Sequence, residues 1–131
     1  MKTIKLLTFI ALFTAFELTS AAQTTGFPNE IVTALNSADV AKLTNYLNDN
    51  VELVMSNKND VYSKQQAVGI ITDFFRKNKV NGFQLLHNGN KEAASFIIGT
   101  LKTTAGNYRV YVLTRKTNGK QLIQQLRIES E

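Results

Sequence analysis

The single histidine and two of the tyrosines are the side chains with which this chain could perform acid–base chemistry. His87 is the only histidine among the 131 residues, and an imidazole exchanges protons near neutral pH. Tyr62 and Tyr108 could add hydroxyl groups to the same pocket. The alternative is structural, with His87 hydrogen-bonded at the edge of the core and both tyrosines packed. All three are therefore candidate ligand-binding residues, and no catalytic residue is assigned.

The carboxylates do not have the spacing of a metal site. With no cysteine and one histidine, a metal would need acidic ligands gathered from Asp49, Glu52, Asp60 and Asp73, none of which shows ligand spacing. Asp73 is expected to point away from the apolar face of its helix, toward solvent. We expect neither a metal nor a cofactor.

Three helices must position these side chains. Pro28 suits the first turn of one helix, and Asp39 can cap a second, short helix. Ser63 can cap a third, because Gln66 three residues later completes a capping-box pattern. The apolar face of this third helix comprises Ala67, Ile70, Ile71, Phe74 and Phe75.

The remaining segments have the alternating pattern of β-strands. Val51–Met55 and Val61–Tyr62 form a strand pair after a polar break at residues 48–50. Beyond Gly82, an antiparallel meander is predicted with strands at Phe83–His87, Ala93–Leu101, Tyr108–Arg115 and Gln121–Ile128. The predicted turns are Asn88-Gly89, residues 105–107 and Asn118-Gly119.

Simple alternation assigns the meander residues to two sheet faces. We expect His87 to share the helix-facing side with Phe83 and Leu85, and Tyr108 to share it with Val110 and Val112. The outer face would then carry Ile97, Leu101, Arg109, Tyr111, Leu113, Arg115, Ile123, Gln125 and Arg127. This set is too apolar for a face in water, which predicts a homodimer through the outer sheet face. The candidate interface residues are Arg109, Tyr111, Leu113, Ile123 and Arg127.

The first 22 residues have the three-part organisation of a signal peptide. Lys2 and Lys5 precede an apolar run at Leu6–Phe16, and the small residues Ser20 and Ala22 precede the predicted cleavage site. The run is shorter than the roughly 20 apolar residues of a transmembrane helix. We therefore predict a signal peptide at residues 1–22 and a single domain at residues 23–131. That domain would be periplasmic or secreted and would not insert into a membrane.

The positive charge of the chain is modest and dispersed. The net charge is +5, and the only basic clusters lie at residues 76–79 and at Arg115-Lys116. The first cluster falls at a predicted helix end, where cations interact favourably with the helix dipole. We expect no nucleic-acid partner.

The predicted elements follow the order of two helices, a strand pair, a helix and a four-stranded meander. The segments that matter most in this order are Ala34–Asp39 with Leu43, Tyr46–Leu53, and Ser63–Ala67 with Phe74-Phe75. In this order and these segments the chain resembles the nuclear-transport-factor-two-like, or cystatin-like, superfamily. The resemblance implies an α+β fold in which three N-terminal helices pack on a curved antiparallel sheet as a cone-shaped roll. Superfamily members include isomerases, dehydratases, ligand carriers and interaction modules, so this fold does not determine function.

A second, closer resemblance is carried by Asp73–Phe75, Phe83–Gly89, Ile98–Leu101, Tyr108–Tyr111 and Leu122–Glu129. In these segments the chain resembles an uncharacterised domain-of-unknown-function family of exported bacterial proteins of the Bacteroidetes type. This resemblance implies no reaction, ligand or catalytic residue.

Two classes of function follow. The first is a non-enzymatic module of the cell envelope that binds a small apolar or amphipathic ligand in its cone, or a protein on its sheet. The alternative is a small isomerase-like or dehydratase-like enzyme that uses His87 with a tyrosine. The meander strands carry no acidic residue before Glu129 except Glu92 at a strand start, which departs from the pocket carboxylates of the superfamily's isomerases.

Overall fold

The computed structural model describes residues 26–131, so the predicted signal peptide lies outside the described residues. Three helices and six strands make up the described part of the chain. The helices are α1 (Asn29–Ser37), α2 (Val40–Thr44) and α3 (Lys64–Lys77). The strands are β1 (Leu47–Met55), β2 (Lys58–Ser63), β3 (Val80–Lys91), β4 (Ala94–Thr103), β5 (Gly106–Thr117) and β6 (Lys120–Ser130).

The six strands form one curved sheet in the order β2-β1-β6-β5-β4-β3. Neighbouring strands are antiparallel, as predicted for the meander, except that β1 runs parallel to β6. Parallel pairing is allowed here because a long crossover joins the two strands instead of a hairpin turn. The helices cover one face of this sheet, and the predicted α+β class is confirmed.

Side-chain caps begin two of the helices where the sequence predicts them. The Asp39 carboxylate accepts a hydrogen bond from the Lys42 N–H at 3.0 Å. The Ser63 hydroxyl accepts from the Gln66 N–H at 3.2 Å, and the Gln66 side chain accepts in return from the Ser63 N–H at 3.1 Å. Because Ser63 also ends β2, α3 turns back along the β1–β2 hairpin without an intervening loop.

The core lies between the helices and the sheet face that we call the inner face. Its helical contributors include Ile31, Leu35 and Ile71, each 0% exposed. On the sheet, the core side chains include Leu53, Ile97, Leu101, Val110, Val112, Ile123 and Leu126. The opposite side of the sheet is the outer face.

Two polar segments that were predicted to interrupt strands are parts of strands. The predicted Asn88-Gly89 turn is wrong, because β3 continues to Lys91 and the chain reverses at Glu92, which has a positive φ of 56°. Gly89 instead pairs with Phe96, whose ring occupies the position that a Cβ on Gly89 would take. The predicted break at residues 48–50 also lies within a strand, since β1 begins at Leu47.

A cavity beside helix α3 as the candidate functional site

A cavity of about 610 Å³ lies between α3 and the β1–β2 hairpin. Its wall includes the hairpin tip, one side of α3 and the start of β5. We call it the α3–hairpin cavity. Its lining residues are Met55, Ser56, Asn57, Lys58, Tyr62, Gln66, Gly69, Ile70, Asp73, Phe74, Lys77, Asn78 and Tyr108.

One side of α3 forms the helical wall of this cavity. The wall residues of α3 recur at intervals of three and four positions, which places them along one stripe of the helix surface. They are Gln66, Gly69, Ile70, Asp73, Phe74 and Lys77. A neighbouring stripe with Ala67 and Ile71 is buried in the core. The space beside Gly69 is open, since a Cβ on it would meet no atom within 4 Å.

Tyr108 and Phe74 form a fixed corner of the cavity. Their rings meet edge to face with centroids 5.1 Å apart. The Tyr108 hydroxyl donates to Asn78 Oδ1 at 3.0 Å, and Asn78 Nδ2 donates to the Phe74 carbonyl oxygen at 2.9 Å. Because its proton is already donated, the Tyr108 hydroxyl can offer a ligand only its oxygen as an acceptor.

The fold brings two of the three predicted ligand-binding residues to this cavity. Tyr62 reaches it from β2, where it pairs with the buried Val51 and so faces inward. Tyr108 reaches it from β5 and pairs with Leu101, which is 0% exposed. The predicted inward orientation of Tyr108, Val110 and Val112 agrees with the strand register.

His87 does not join the tyrosines, and its predicted helix-facing position is wrong. The pairing of β3 with β4 shifts between Leu85 and His87, so Leu85 lies opposite Gly99 whereas His87 lies opposite Ile98. Ile98 in turn pairs with Tyr111 on the outer face. An extra residue in a strand reverses the alternation beyond it. His87 is exposed on the outer face and does not line the cavity.

Four of the five candidate interface residues lie on the outer face, and Ile123 does not. The pairing of β5 with β6 shifts between Leu113 and Thr114, with Gln125 opposite Leu113 and Ile123 opposite the buried Thr114. Gln124 is the inserted residue, so Ile123 points inward and is 0% exposed. Arg109, Tyr111, Leu113 and Arg127 keep the predicted outward orientation.

The outward positions predicted for Ile97 and Leu101 are also wrong. Ile97 pairs with Val112 and Leu101 with Tyr108, and both partners face inward. Directly paired residues share a face. The half-buried apolar side chains of the outer face include Phe96, Ile98, Tyr111, Leu113 and Leu122, which we call the outer-face patch.

Asp73 lies at the rim of the α3–hairpin cavity. Its side chain is 52% exposed, and its carboxylate lies 3.2 Å from Lys77 Nζ and 4.0 Å from an Arg76 nitrogen. The expected solvent exposure agrees with this position, but the sequence did not indicate that Asp73 borders a cavity. Lys58, Asn78 and the hairpin tip were missed as well. The available indication was Gly69, since a glycine inside a helix often has a packing or functional reason.

Other reactive groups lie apart from this cavity. Desolvation, followed by the negative charge of Glu30 and a hydrogen bond to it, raises the pKa of Tyr46, which does not line the cavity. Within residues 26–131, no cluster of three or more histidine and carboxylate side chains could hold a metal ion. No helix in that range has the length and apolarity to cross a bilayer.

The curved sheet with its covering helices is the fold of NTF2-like proteins. An NTF2-like protein from Cytophaga hutchinsonii matches with a TM-score of 0.59 at 10% identity, over 79% of this chain and 91% of that one. The chain belongs to the family described as domain of unknown function (DUF4783), whose model matches residues 28–129. The predicted family is thereby confirmed, and the predicted resemblance to the superfamily is confirmed at the level of the fold.

Solved members of the same family are similar over nearly their whole length. A DUF4783 protein from Bacteroides ovatus is 37% identical, with a TM-score of 0.79 over 82% of this chain and 97% of that one. One from Bacteroides fragilis is 39% identical, with a TM-score of 0.76 over 80% of this chain and 99% of that one. No curated protein matches.

Proposed function

We propose that this protein is a non-enzymatic binding module of the cell envelope that holds a small amphipathic ligand in the α3–hairpin cavity. The observation that carries the proposal is the composition of the cavity wall. Ile70, Phe74 and Met55 offer apolar surface, whereas Asn57, Gln66 and other side chains at the rim offer polar groups. A concave apolar surface with a few polar groups is typical of small-molecule sites.

The rigidity of one corner supports this assignment. Phe74 and Tyr108 are held by their ring contact and by the hydrogen bonds through Asn78. A preformed aromatic surface loses little conformational freedom when a ligand packs on it. The location in the envelope rests on the N-terminal sequence, which has the organisation of a signal peptide.

Binding is favoured over catalysis because the acid–base groups are dispersed. His87 lies on the outer face and the two cavity tyrosines on the inner face, so neither Tyr62 nor Tyr108 can act with His87 on one substrate. The carboxylate that borders the cavity, Asp73, is exposed and paired with Lys77 at 3.2 Å. This arrangement contains no desolvated acid or base of the kind that pocket enzymes use.

Native mass spectrometry of the exported protein, purified from its own cell envelope, tests the proposal. We expect a constant small added mass on the wild-type protein. The matched variant is Gly69→Leu, which removes no contact and fills open space beside the helix. It should fold normally and lose the added mass.

Titration with phenylnaphthylamine, a neutral fluorescent probe, supplies a second readout. Binding that Gly69→Leu leaves unchanged would place any ligand outside this cavity and refute the proposal.

A second candidate function, association of two copies through the outer face, is favoured by the outer-face patch. The rings of Phe96 and Tyr111 stack there with centroids 6.0 Å apart. The cations beside the patch already have internal partners, with Arg109 Nε 3.0 Å from Glu131 and an Arg127 nitrogen 3.4 Å from Glu129. Contiguous apolar surface on an antiparallel sheet favours a partner over water.

Light scattering at micromolar concentration tests this association. We expect a dimer for the wild-type protein and a monomer for Tyr111→Glu, which introduces a charge into the middle of the outer-face patch. Lys102→Glu is the matched control because it changes an exposed side chain on the same outer face of the sheet. This variant should remain dimeric. A wild-type monomer under these conditions would refute the association.

A further inference from the structure

The charged side chains around the α3–hairpin cavity are unevenly distributed. Lys58, Lys77 and Asp73 are the only ionised groups among its lining residues. Lys58 follows the tip of the β1–β2 hairpin, and Lys77 ends α3. Because α3 starts where β2 ends and returns along the hairpin, both ammonium groups belong to the tip end of the cavity. Tyr62 and Gln66 belong to the opposite end, where β2 passes into α3.

The single carboxylate in the cavity wall already has cationic partners. Asp73 has two cationic neighbours, Lys77 at 3.2 Å and Arg76 at 4.0 Å. Lys58, in contrast, has no carboxylate within 4.0 Å among residues 26–131. Asp60 lies two residues further along β2, but its side chain accepts the Val61 N–H at 2.8 Å and does not line the cavity. The tip end therefore presents one ammonium group, that of Lys58, without an ion-pair partner among these residues.

Apolar surface separates this positive end from the neutral polar end. Ile70 and Phe74 lie between them on α3, with Tyr108 beside Phe74. Residues 58 and 62 are four positions apart on one strand, which corresponds to about 13 Å. A ligand that spans the cavity would thus be elongated, with an apolar body and a charged group at one end.

We propose that the ligand is a small amphipathic anion whose carboxylate or similar oxyanion is held by Lys58, with its apolar body packed against Ile70 and Phe74. This inference rests on the proposed function and adds to it the charge and orientation of the ligand. Lys77 adds positive potential at the same end, whereas Tyr62 contacts the far end of the apolar body. Opposite charges give such a site orientation and specificity.

Two fluorescent probes that share one ring scaffold test the inference. Anilinonaphthalene sulfonate carries the anionic group, and phenylnaphthylamine lacks it. We expect the wild-type protein to bind the anionic probe more tightly, and Lys58→Gln to weaken that binding by about two- to fivefold, the range for exposed charge pairs. The neutral probe should bind equally to both proteins. Added salt should reduce the difference between the probes.

Two further variants keep the outcomes distinct. Lys102→Gln removes an exposed charge from the outer face and should change neither affinity. Gly69→Leu should weaken both probes. One outcome is that Gly69→Leu abolishes the binding of both probes, whereas Lys58→Gln changes the affinity for neither. The anionic ligand class is then refuted, and the cavity remains a binding site. If Gly69→Leu affects neither probe, the binding function itself is refuted, and the inference with it.

Discussion

Replacement of Gly69 by alanine is expected to stabilise this protein, although Gly69 lines the α3–hairpin cavity. Gly69 lies inside α3, and a Cβ added to it would meet no atom within 4 Å. Alanine is favoured over glycine in a helix interior by about 0.8–1 kcal/mol. Part of this difference arises because alanine restricts the unfolded chain. We therefore expect the free energy of unfolding to rise by about 0.5–1 kcal/mol.

Urea denaturation followed by circular dichroism measures this change directly. For a domain of this size, thermal unfolding should shift upward by about 2–8 °C, since 1 kcal/mol corresponds to roughly 4–8 °C. Gly119→Ala is the matched control. A Cβ on Gly119 would also meet no atom within 4 Å, but its φ is +81°. Alanine is strained in that region, so this variant should be destabilised despite the open space.

The pair of variants separates open space from backbone conformation. If Gly119→Ala is destabilised as expected but Gly69→Ala is neutral or destabilised, the space beside α3 is occupied by neighbouring side chains in solution. The cavity would then be smaller than the structure indicates, and the geometric basis of the binding proposal would be lost. If Gly69→Ala is stabilised, the glycine keeps the cavity open at a cost in helix stability.

Three further predictions concern the local structure. Ser63→Ala removes the cap of α3 and should lower the free energy of unfolding by about 1 kcal/mol in urea denaturation; no change would mean that the cap does not contribute. Ile123→Ala should cost about 2–5 kcal/mol because Ile123 is fully buried, whereas Leu122→Ala on the outer face should cost much less; equal costs would contradict the strand register. Gly89→Ala should be destabilising because its Cβ would overlap the Phe96 ring, and the cost should fall in a Phe96→Ala background; an unchanged cost would assign it to the backbone instead.

Local patterns predicted the elements of this fold well because short-range physical chemistry determines them. The capping box at Ser63 and Gln66 and the cap at Asp39 are contacts between residues three positions apart. The turn at Asn118-Gly119 has positive φ at both residues, of 52° and 81°, as Asn-Gly hairpin turns require. Such features need no information from distant parts of the chain.

The assignment of side chains to sheet faces failed at His87 and Ile123 because strand pairing departs from regular alternation there. It failed at Ile97 and Leu101, where the pairing of β4 with β5 is regular, because alternation within one strand does not determine which of its two residue sets faces the helices. Periodicity treats each strand alone, but one inserted residue in β3 moves His87 to the outer face, and one in β6 turns Ile123 inward. The same limit explains Gly89, whose neighbour Phe96 is in contact only because β4 folds back on β3. A glycine from a dipeptide that favours a turn can equally lie within a strand, where the absence of its side chain leaves room for an aromatic ring.

The cavity could not be predicted from the sequence because three separated segments form it. Gly69 and Phe74 belong to α3, Lys58 to the hairpin and Tyr108 to β5, so the space between them depends on the angle at which α3 returns along the sheet. Periodicity predicted the core stripe of α3 correctly through Ala67 and Ile71. The neighbouring stripe has the composition of an ordinary half-polar surface. No local property of the sequence distinguishes a cavity wall from a surface in water.

The two proposed binding surfaces lie on opposite sides of the sheet. The α3–hairpin cavity lies on its inner side, and the outer-face patch around Tyr111 lies on the opposite side. A second copy docked on the outer face would therefore leave the cavity accessible. Buried side chains such as Val110 and Val112 lie between the two surfaces and are packed against the helices. Since distant sites without shared contacts behave additively, the effects of Lys58 and Tyr111 variants should combine independently, and ligand binding should not require the dimer.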